Sequence, residues 1–192
     1  MHEIASQRRL ALGLAAAALL VGTVASPAFA ANTVIQAITG SGLTASVADV
    51  TLASVAYQNN AHDVTGSMVL TADDSTGSGA GWNVTIQSSA FAWVGTANGG
   101  TDIPAAKFAL TTAGPAVLVA GQAVGVAAAT GPQVPALSPL GTLDSARKVL
   151  VATAAYGAGT YTQALGVTLT IPAQSRVGVY TGTLTTTITS AP

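Results

Sequence analysis

The strongest constraint on the fold is a two-residue alternation of apolar and threonine side chains near the C-terminus. In "VTLTI" (167–171), valine, leucine and isoleucine alternate with threonines. In "VYTGTLTTTITS" (179–190), Tyr180, Leu184 and Ile188 occupy even positions, and the odd positions from residue 181 onward are threonine. Because successive side chains of a strand point to opposite faces, each segment has one apolar and one polar face. This pattern predicts antiparallel strands with one face on a core.

Short strands separated by turn residues are predicted along the rest of the chain, which is rich in threonine, valine, alanine and glycine. The predicted strands are 33–38, 43–56, 64–71, 81–87, 106–112, 116–127, 147–153, 161–171 and 178–189. The turn "PAQSRVG" (172–178) predicts a hairpin between the last two strands. We therefore expect an all-β protein, an antiparallel β-sandwich that is Ig-like in general architecture.

The first thirty residues have the order of a secretory signal peptide. Arg8 and Arg9 precede an apolar run from Leu10 to Ala25, and "SPAFA" follows. This run is too short for a membrane-spanning helix, and the small residues favour cleavage after Ala30. The sequence predicts a signal peptide over 1–30 and a single domain over 31–192, secreted by either the general or the twin-arginine route.

Charge and cysteine content exclude several classes of protein. The formal net charge is −1 and the chain has no cysteine. A nucleic-acid-binding protein needs a basic stripe to neutralise phosphates, and none is present. Disulfides, thiolate metal sites and thiol nucleophiles are impossible without cysteine. We expect no nucleic-acid partner, and no membrane association once the signal peptide is removed.

Candidates for catalysis or metal binding are few. His62 is the one histidine outside the predicted signal peptide, and only Asp63 adjoins it. Asp73 and Asp74 are the only adjacent carboxylates; a calcium site is conceivable there, but turn formation fits "DDSTGSG" better. No Gly-x-Ser-x-Gly motif or phosphate-binding loop occurs. We predict that the protein is not an enzyme and uses no metal or cofactor.

The two tryptophans receive different predictions. Trp82 alternates in phase with Val84 and Ile86, which predicts a core position. Trp93 lies in an alanine-rich stretch that breaks at Gly95, and it is the better candidate for an exposed ring. An exposed indole face could stack on sugars.

Three segments together resemble the WxL-domain family of Gram-positive cell-surface proteins. They are "LTADDSTGSGAGWNVTIQSSAF" (70–91), "IPAAKFAL" (103–110) and "VTLTIPAQSRVGVYTGTLTTTITSAP" (167–192). The resemblance covers residues 40–192. It implies an exported domain that associates non-covalently with peptidoglycan or other wall polymers.

Two Trp-x-Leu motifs mark that family, and this chain departs from both. The first resembles Trp82-Asn83-Val84, with valine in place of leucine. The second falls at Thr186-Thr187-Ile188, where threonine replaces tryptophan. The resemblance therefore assigns Trp82, Val84 and Ile188 to the motif positions, and the missing tryptophan puts wall binding through the usual surface in question.

The sequence predicts a secreted, non-catalytic protein that associates with cell-wall polymer or with other surface proteins. The alternative is a self-assembling structural subunit of a surface layer or filament, because the terminal strand carries no charge that would prevent pairing between copies. Two surfaces are candidates for either role. They are the ring of Trp93 and the threonine row formed by Thr183, Thr185 and Thr187.

Overall fold

Ten β-strands form the framework in a computed structural model that describes residues 35–124, 131–136 and 140–190. The strands are β1 (Leu43–Val47), β2 (His62–Asp74), β3 (Trp82–Ser88), β4 (Ala92–Val94), β5 (Phe108–Gly121), β6 (Gly141–Thr142), β7 (Arg147–Ala152), β8 (Gly159–Ile171), β9 (Val179–Thr181) and β10 (Leu184–Ser190). A short 3-10 helix (Ala105–Lys107) precedes β5.

Two antiparallel sheets share one core. The larger has the order β1-β2-β8-β5-β6, the smaller has β10-β3-β7, and β4 pairs separately with β9. Every pairing of these strands is antiparallel. One cluster of buried side chains joins both sheets, with Leu70 and Leu165 from the larger sheet and Ile86 and Leu150 from the smaller. The prediction of an all-β protein with antiparallel sheets is confirmed, whereas the Ig-like strand order stays a prediction.

The predicted alternation places the core face of the larger sheet correctly. Strands β2 and β8 pair over their full lengths, from His62 opposite Ile171 to Asp74 opposite Gly159. Val167 and Leu169 are buried, as the sequence predicts. The apolar side chains lose contact with water while the alternate threonines stay on the outer face, and this difference fixes the register of the pair.

Strand β5 replaces two predicted strands, 106–112 and 116–127, with one. Its pairing with β8 shifts register three times between Leu110 and Ala120. Pro115 has no N–H to give to the ladder, and it falls within the second shift. These bulges absorb the extra residues and let a single strand cross the sheet where turn residues suggested a break. Residues 125–127 of the predicted strand lie outside the described residues.

The predicted C-terminal hairpin is wrong. Strand β8 lies between β2 and β5, and the following chain leaves the larger sheet. The predicted strand 178–189 is two strands, with β9 paired to β4 and β10 paired to β3. The break falls at Gly182, where an added Cβ would lie 3.1 Å from the Phe91 ring. Hydrophobic alternation identifies the two faces of a strand but not the strand beside it. It therefore could not reveal that the chain leaves the larger sheet after β8.

Two predicted strands near the N-terminus are also corrected. The predicted strand 43–56 ends at Val47, and residues 48–58 continue without strand pairing. Leu52 instead packs over Gly66, where a Cβ would lie 2.5 Å from the leucine Cδ2 atom. Residues 35–38 of the predicted strand 33–38 form no strand, and residues 33–34 lie outside the described residues.

Two residues hold the sheets together by hydrogen bonds. The N–H of Leu143 donates to the carbonyl of Phe108 in β5, and its carbonyl accepts from the N–H of Ser88 in β3. Buried Gln163 donates to the carbonyls of Gly114 and Val149, which belong to β5 and β7. Bonds that satisfy polar groups inside a core also fix the relative position of the layers.

Candidate functional site

The first motif segment lies in the core. Trp82, Val84 and Ile86 are fully buried on the inner face of β3. The Trp82 indole N–H donates to the carbonyl of Gly157 at 3.0 Å. Its ring centroid lies 6.2 Å from that of Tyr161, with the rings tilted by 45°. The tryptophan is therefore packed and hydrogen-bonded from inside, as its phase in the sequence predicts.

The second motif segment lies directly beside the first. In the register of β10 on β3, Ile188 is opposite Val84 and Thr186 is opposite Ile86. Ile188 is half-buried and packs against the core. Thr186 points to the same side and is also half-buried. The two motif segments therefore lie side by side on neighbouring strands, although about a hundred residues separate them in the sequence.

The outer side of the same two strands is a polar surface without carboxylates. We call it the threonine face, and it consists of Asn83, Thr85, Gln87, Thr185, Thr187 and Thr189. Of the four threonines of β10, the three that belong to this face are exposed. On the far side of β3, Thr85 is paired with Lys148, the cationic neighbour of this face. The arrangement offers hydroxyl and amide groups on a surface whose own residues carry no charge.

Thr183, the residue before the first residue of β10, extends that row of threonines. Its side chain is exposed, and its N–H donates to the hydroxyl of Ser89 at 2.9 Å. The N–H of Ser89 donates in return to the Thr183 carbonyl. The structure therefore brings Thr183, Thr185 and Thr187 to one side of the small sheet. It places Trp93 elsewhere, on β4.

Trp93 is half-buried, and glycines enclose its ring. Added Cβ atoms at Gly95, Gly100 and Gly178 would come within 2.7, 2.3 and 2.4 Å of ring atoms. The backbone N–H of Trp93 donates to the carboxylate of Asp102 at 2.9 Å. Its use as a sugar platform stays a prediction.

Gly100→Ala is expected to destabilise the protein by about 1–3 kcal/mol, because the new methyl group would overlap the Trp93 ring. Gly42→Ala is the matched control, since an added Cβ at Gly42 meets nothing within 4 Å. Urea denaturation of both variants checks the expectation. Equal stability of the two variants would show that the loop around Trp93 yields without cost.

The paired aspartates form turns. Asp73 accepts from the hydroxyls of Ser75 and Thr160, each at 2.6 Å. These hydrogen bonds lower the pKa of Asp73 below its usual value, and the bond from Ser75 has the larger effect. Asp74 is buried and accepts from both the N–H and the hydroxyl of Thr76. The interpretation of "DDSTGSG" as turn chemistry fits these contacts.

A cleft at one end of the shared core was not predicted from the sequence. This end cleft encloses about 550 Å³. Its floor is the end of the core, with Val64, Met68 and Phe108 among the lining residues. Residues 50–58 form one wall and residues 175–182 form the other. The cleft lies within the range of about 300–1,000 Å³ that is typical of ligand sites.

The walls of the end cleft expose apolar side chains to solvent. On one wall, Val50, Val55 and Tyr57 are 38%, 45% and 49% exposed. On the other wall, Val177 and Val179 are 70% and 64% exposed. Exposed apolar side chains that gather around a concavity mark interaction sites. No periodicity signals the cleft, because its two walls are far apart in the sequence, one without strand structure and the other containing the three-residue strand β9.

Residues 35–124, 131–136 and 140–190 contain no candidate metal-binding group and no candidate membrane-spanning helix. No group of three or more histidine, aspartate or glutamate side chains in that part of the chain could hold a metal ion. None of the helical structure within the same ranges has the length and apolar character required to cross a membrane.

The fold and these surfaces define an all-β domain with two antiparallel sheets and an uncharged polar face. A family model described as "WxL domain surface cell wall-binding" matches residues 23–192. The chain therefore belongs to the WxL family of surface domains that bind the cell wall, which is a binding family rather than a catalytic one. No curated protein and no solved structure gives a match.

Proposed function

We propose that the protein is exported and binds cell-wall polymer, peptidoglycan in particular, through the threonine face. Membership of a wall-binding family supports the general role. The observation that carries the choice of surface is the side-by-side placement of the two motif segments. Their inner residues fill the core, and their outer residues form one continuous row of hydroxyl and amide groups.

The chemistry of this face suits a glycan. Side-chain hydroxyls and amides both donate and accept hydrogen bonds, as sugar hydroxyls do. Thr185 is opposite Gln87, and Thr187 is opposite Thr85, so that polar groups recur across the two strands. Loss of the second motif tryptophan leaves this face intact, because Thr186 lies on the inner side. Wall binding by this chain therefore does not require that tryptophan.

Thr183→Lys with Thr187→Lys is expected to reduce pelleting with purified peptidoglycan about tenfold or more, because two bulky charges replace hydroxyls on the contact face. Both side chains are exposed, so the fold should be kept. The measurement is co-sedimentation with and without peptidoglycan.

Thr44→Lys with Thr65→Lys is the matched control for charge. Both of these threonines are exposed on the larger sheet. This control should pellet like the unchanged protein. Loss of pelleting in the control alone would move the binding surface to the larger sheet, and normal pelleting of both variants would contradict a role for either face.

Self-assembly is the second candidate function, and the wall-binding assay separates it from the first. Assembly predicts pelleting that grows with protein concentration in the absence of wall material. Strand addition at the edge of β10 was the route suggested by the sequence. That edge has β1 packed beside it, with Leu43 and Val47 joining Leu184 and Ile188 around the core. Assembly through another part of the molecule is therefore more favourable.

A further inference from the structure

We propose that a short N-terminal arm of one copy, residues 35–40, inserts into the end cleft of a second copy, so that copies join head to tail. This inference goes beyond wall binding and gives the self-assembly alternative a specific site. Its test uses no wall material, so either idea can fail without the other.

The arm presents apolar side chains without strand partners. Residues 35–42 form no strand, and Ile35 and Ile38 are 86% and 92% exposed. The surrounding sequence "ANTVIQAITGSG" (31–42) has no charged residue. A neutral segment with large aliphatic side chains has the composition of a strand that pairs with a partner.

The end cleft can accept such a segment. Among the described residues, two backbone hydrogen bonds fasten residues 48–58, the segment that contains the wall formed by residues 50–58. The N–H of Ala48 donates to Val69, and the carbonyl of Gln58 accepts from Gln174. The backbone groups of residues 49–57 make no bond of this kind within those ranges. They are therefore available for pairing with an added strand, while the core end below receives its side chains.

The lining favours an apolar occupant over a cationic one. Arg176 and His62 are the lining residues of the end cleft that can carry a positive charge, and no aspartate lines it. Most of the lining residues are apolar or aromatic when alanine, methionine and proline are included with valine, leucine, isoleucine, phenylalanine and tyrosine. Burial of apolar side chains is favourable in such a site, whereas burial of an unpaired charge is costly.

The arm cannot reach the cleft of its own chain. The root of the arm is at the far end of β2, where the N–H of Ser41 donates to Ser75 at 2.7 Å and the carbonyl of Gly42 accepts from Ser75 at 3.0 Å. The cleft lies toward the opposite end, where its lining runs along β2 from Met68 to His62. At ~3.3 Å per residue, the near edge of the cleft is about 23 Å from Ser75 and the far edge is about 43 Å away. Residues 35–40 span at most about 20 Å when fully extended.

Because root and cleft lie at opposite ends, insertion has to occur between copies. Each copy would offer one arm and one cleft, which are different surfaces. Such a head-to-tail contact produces a ring when the rotation closes and a filament when it does not.

The test is sedimentation velocity of the full chain, as processed by its host, over a range of concentrations. The unchanged protein should form species that grow beyond dimers. Ile35→Asp with Ile38→Asp, the arm variant, replaces the aliphatic side chains of the arm with carboxylates. Val55→Asp, the cleft variant, places a charge in the cleft wall. Each variant should weaken association about tenfold or more, because removing a carboxylate from water into an apolar cleft is costly even with Arg176 nearby. Val117→Asp is the matched control, since Val117 is 58% exposed and lies outside the cleft; it should associate normally.

A mixture of the two variants gives the sharper result. One retains an intact cleft and the other an intact arm, so an equimolar mixture should form dimers and nothing larger. A synthetic peptide of residues 31–42 should also bind the arm variant but not Val55→Asp. Circular dichroism of each variant confirms that it is folded.

Three results would overturn the proposal. The first is an unchanged protein that stays monomeric and does not bind the peptide. The second is association that neither the arm variant nor the cleft variant weakens. The third is native mass spectrometry that shows a small molecule retained in a monomer and released by Val55→Asp, which would make the end cleft a ligand site.

Discussion

Replacement of Trp82 with alanine is expected to lower the free energy of unfolding by about 3–5 kcal/mol, the usual cost of removing a large buried aromatic side chain. The side chain is fully buried, and its indole N–H holds the carbonyl of Gly157. Its loss would leave a cavity beside Tyr161 and an unpaired carbonyl. Chemical denaturation of the purified variant measures the effect.

Two controls separate packing from hydrogen bonding at this position. Trp82→Phe keeps an aromatic ring and removes the N–H, so it should cost less than the alanine change. Val69→Ala removes a side chain that is 50% exposed and should change stability by less than about 0.5 kcal/mol. A Trp82→Ala protein with unchanged melting temperature and lost wall binding would show that Trp82 acts in recognition instead.

Deletion of residues 179–192 is expected to abolish folding altogether. It removes β9 and β10, and with them the partner strands of β4 and β3. Leu184 and Ile188 leave the core, and each aliphatic side chain is worth up to roughly 1.5–3 kcal/mol when fully buried. The inner residues of β3 would also become accessible along one edge. A domain of ordinary stability, about 5–15 kcal/mol, cannot absorb this loss.

The measurement is circular dichroism together with gel filtration of the truncated protein, which should be unfolded or aggregated. The Thr183→Lys with Thr187→Lys variant is the control, because it alters the same region and leaves the inner residues in place. That variant should remain folded. A truncated protein with a cooperative thermal transition would contradict the structural role of β10.

The faces of the strands were predictable from the sequence because burial follows the side-chain period. Trp82, Val84, Val167 and Leu169 are all buried, as their phase predicts. Exposure of alternate threonines in β10 follows from the same period. Family membership was also accessible, because it depends on local motifs in a fixed order.

Strand order was not accessible from the same pattern. A strand with one apolar face could pair with many other strands, and long-range contacts decide which of them becomes its neighbour. The chain leaves the larger sheet after β8 and pairs β10 with β3, a segment a hundred residues earlier. Two strands, 106–112 and 116–127, were likewise predicted where bulges against β8 keep one strand continuous.

By itself, the sequence determined the all-β class, the inward and outward residues and the family, since each depends on short-range periodicity or motif order. The tertiary structure alone decided the partners of the strands, the single surface shared by the two motif segments, and the end cleft. These features arise where distant segments meet. The cleft exists because residues 50–58 leave the sheet and lie opposite residues 175–182 across the open end of the core. No local pattern encodes that approach, because it depends on how the two sheets close around their common interior.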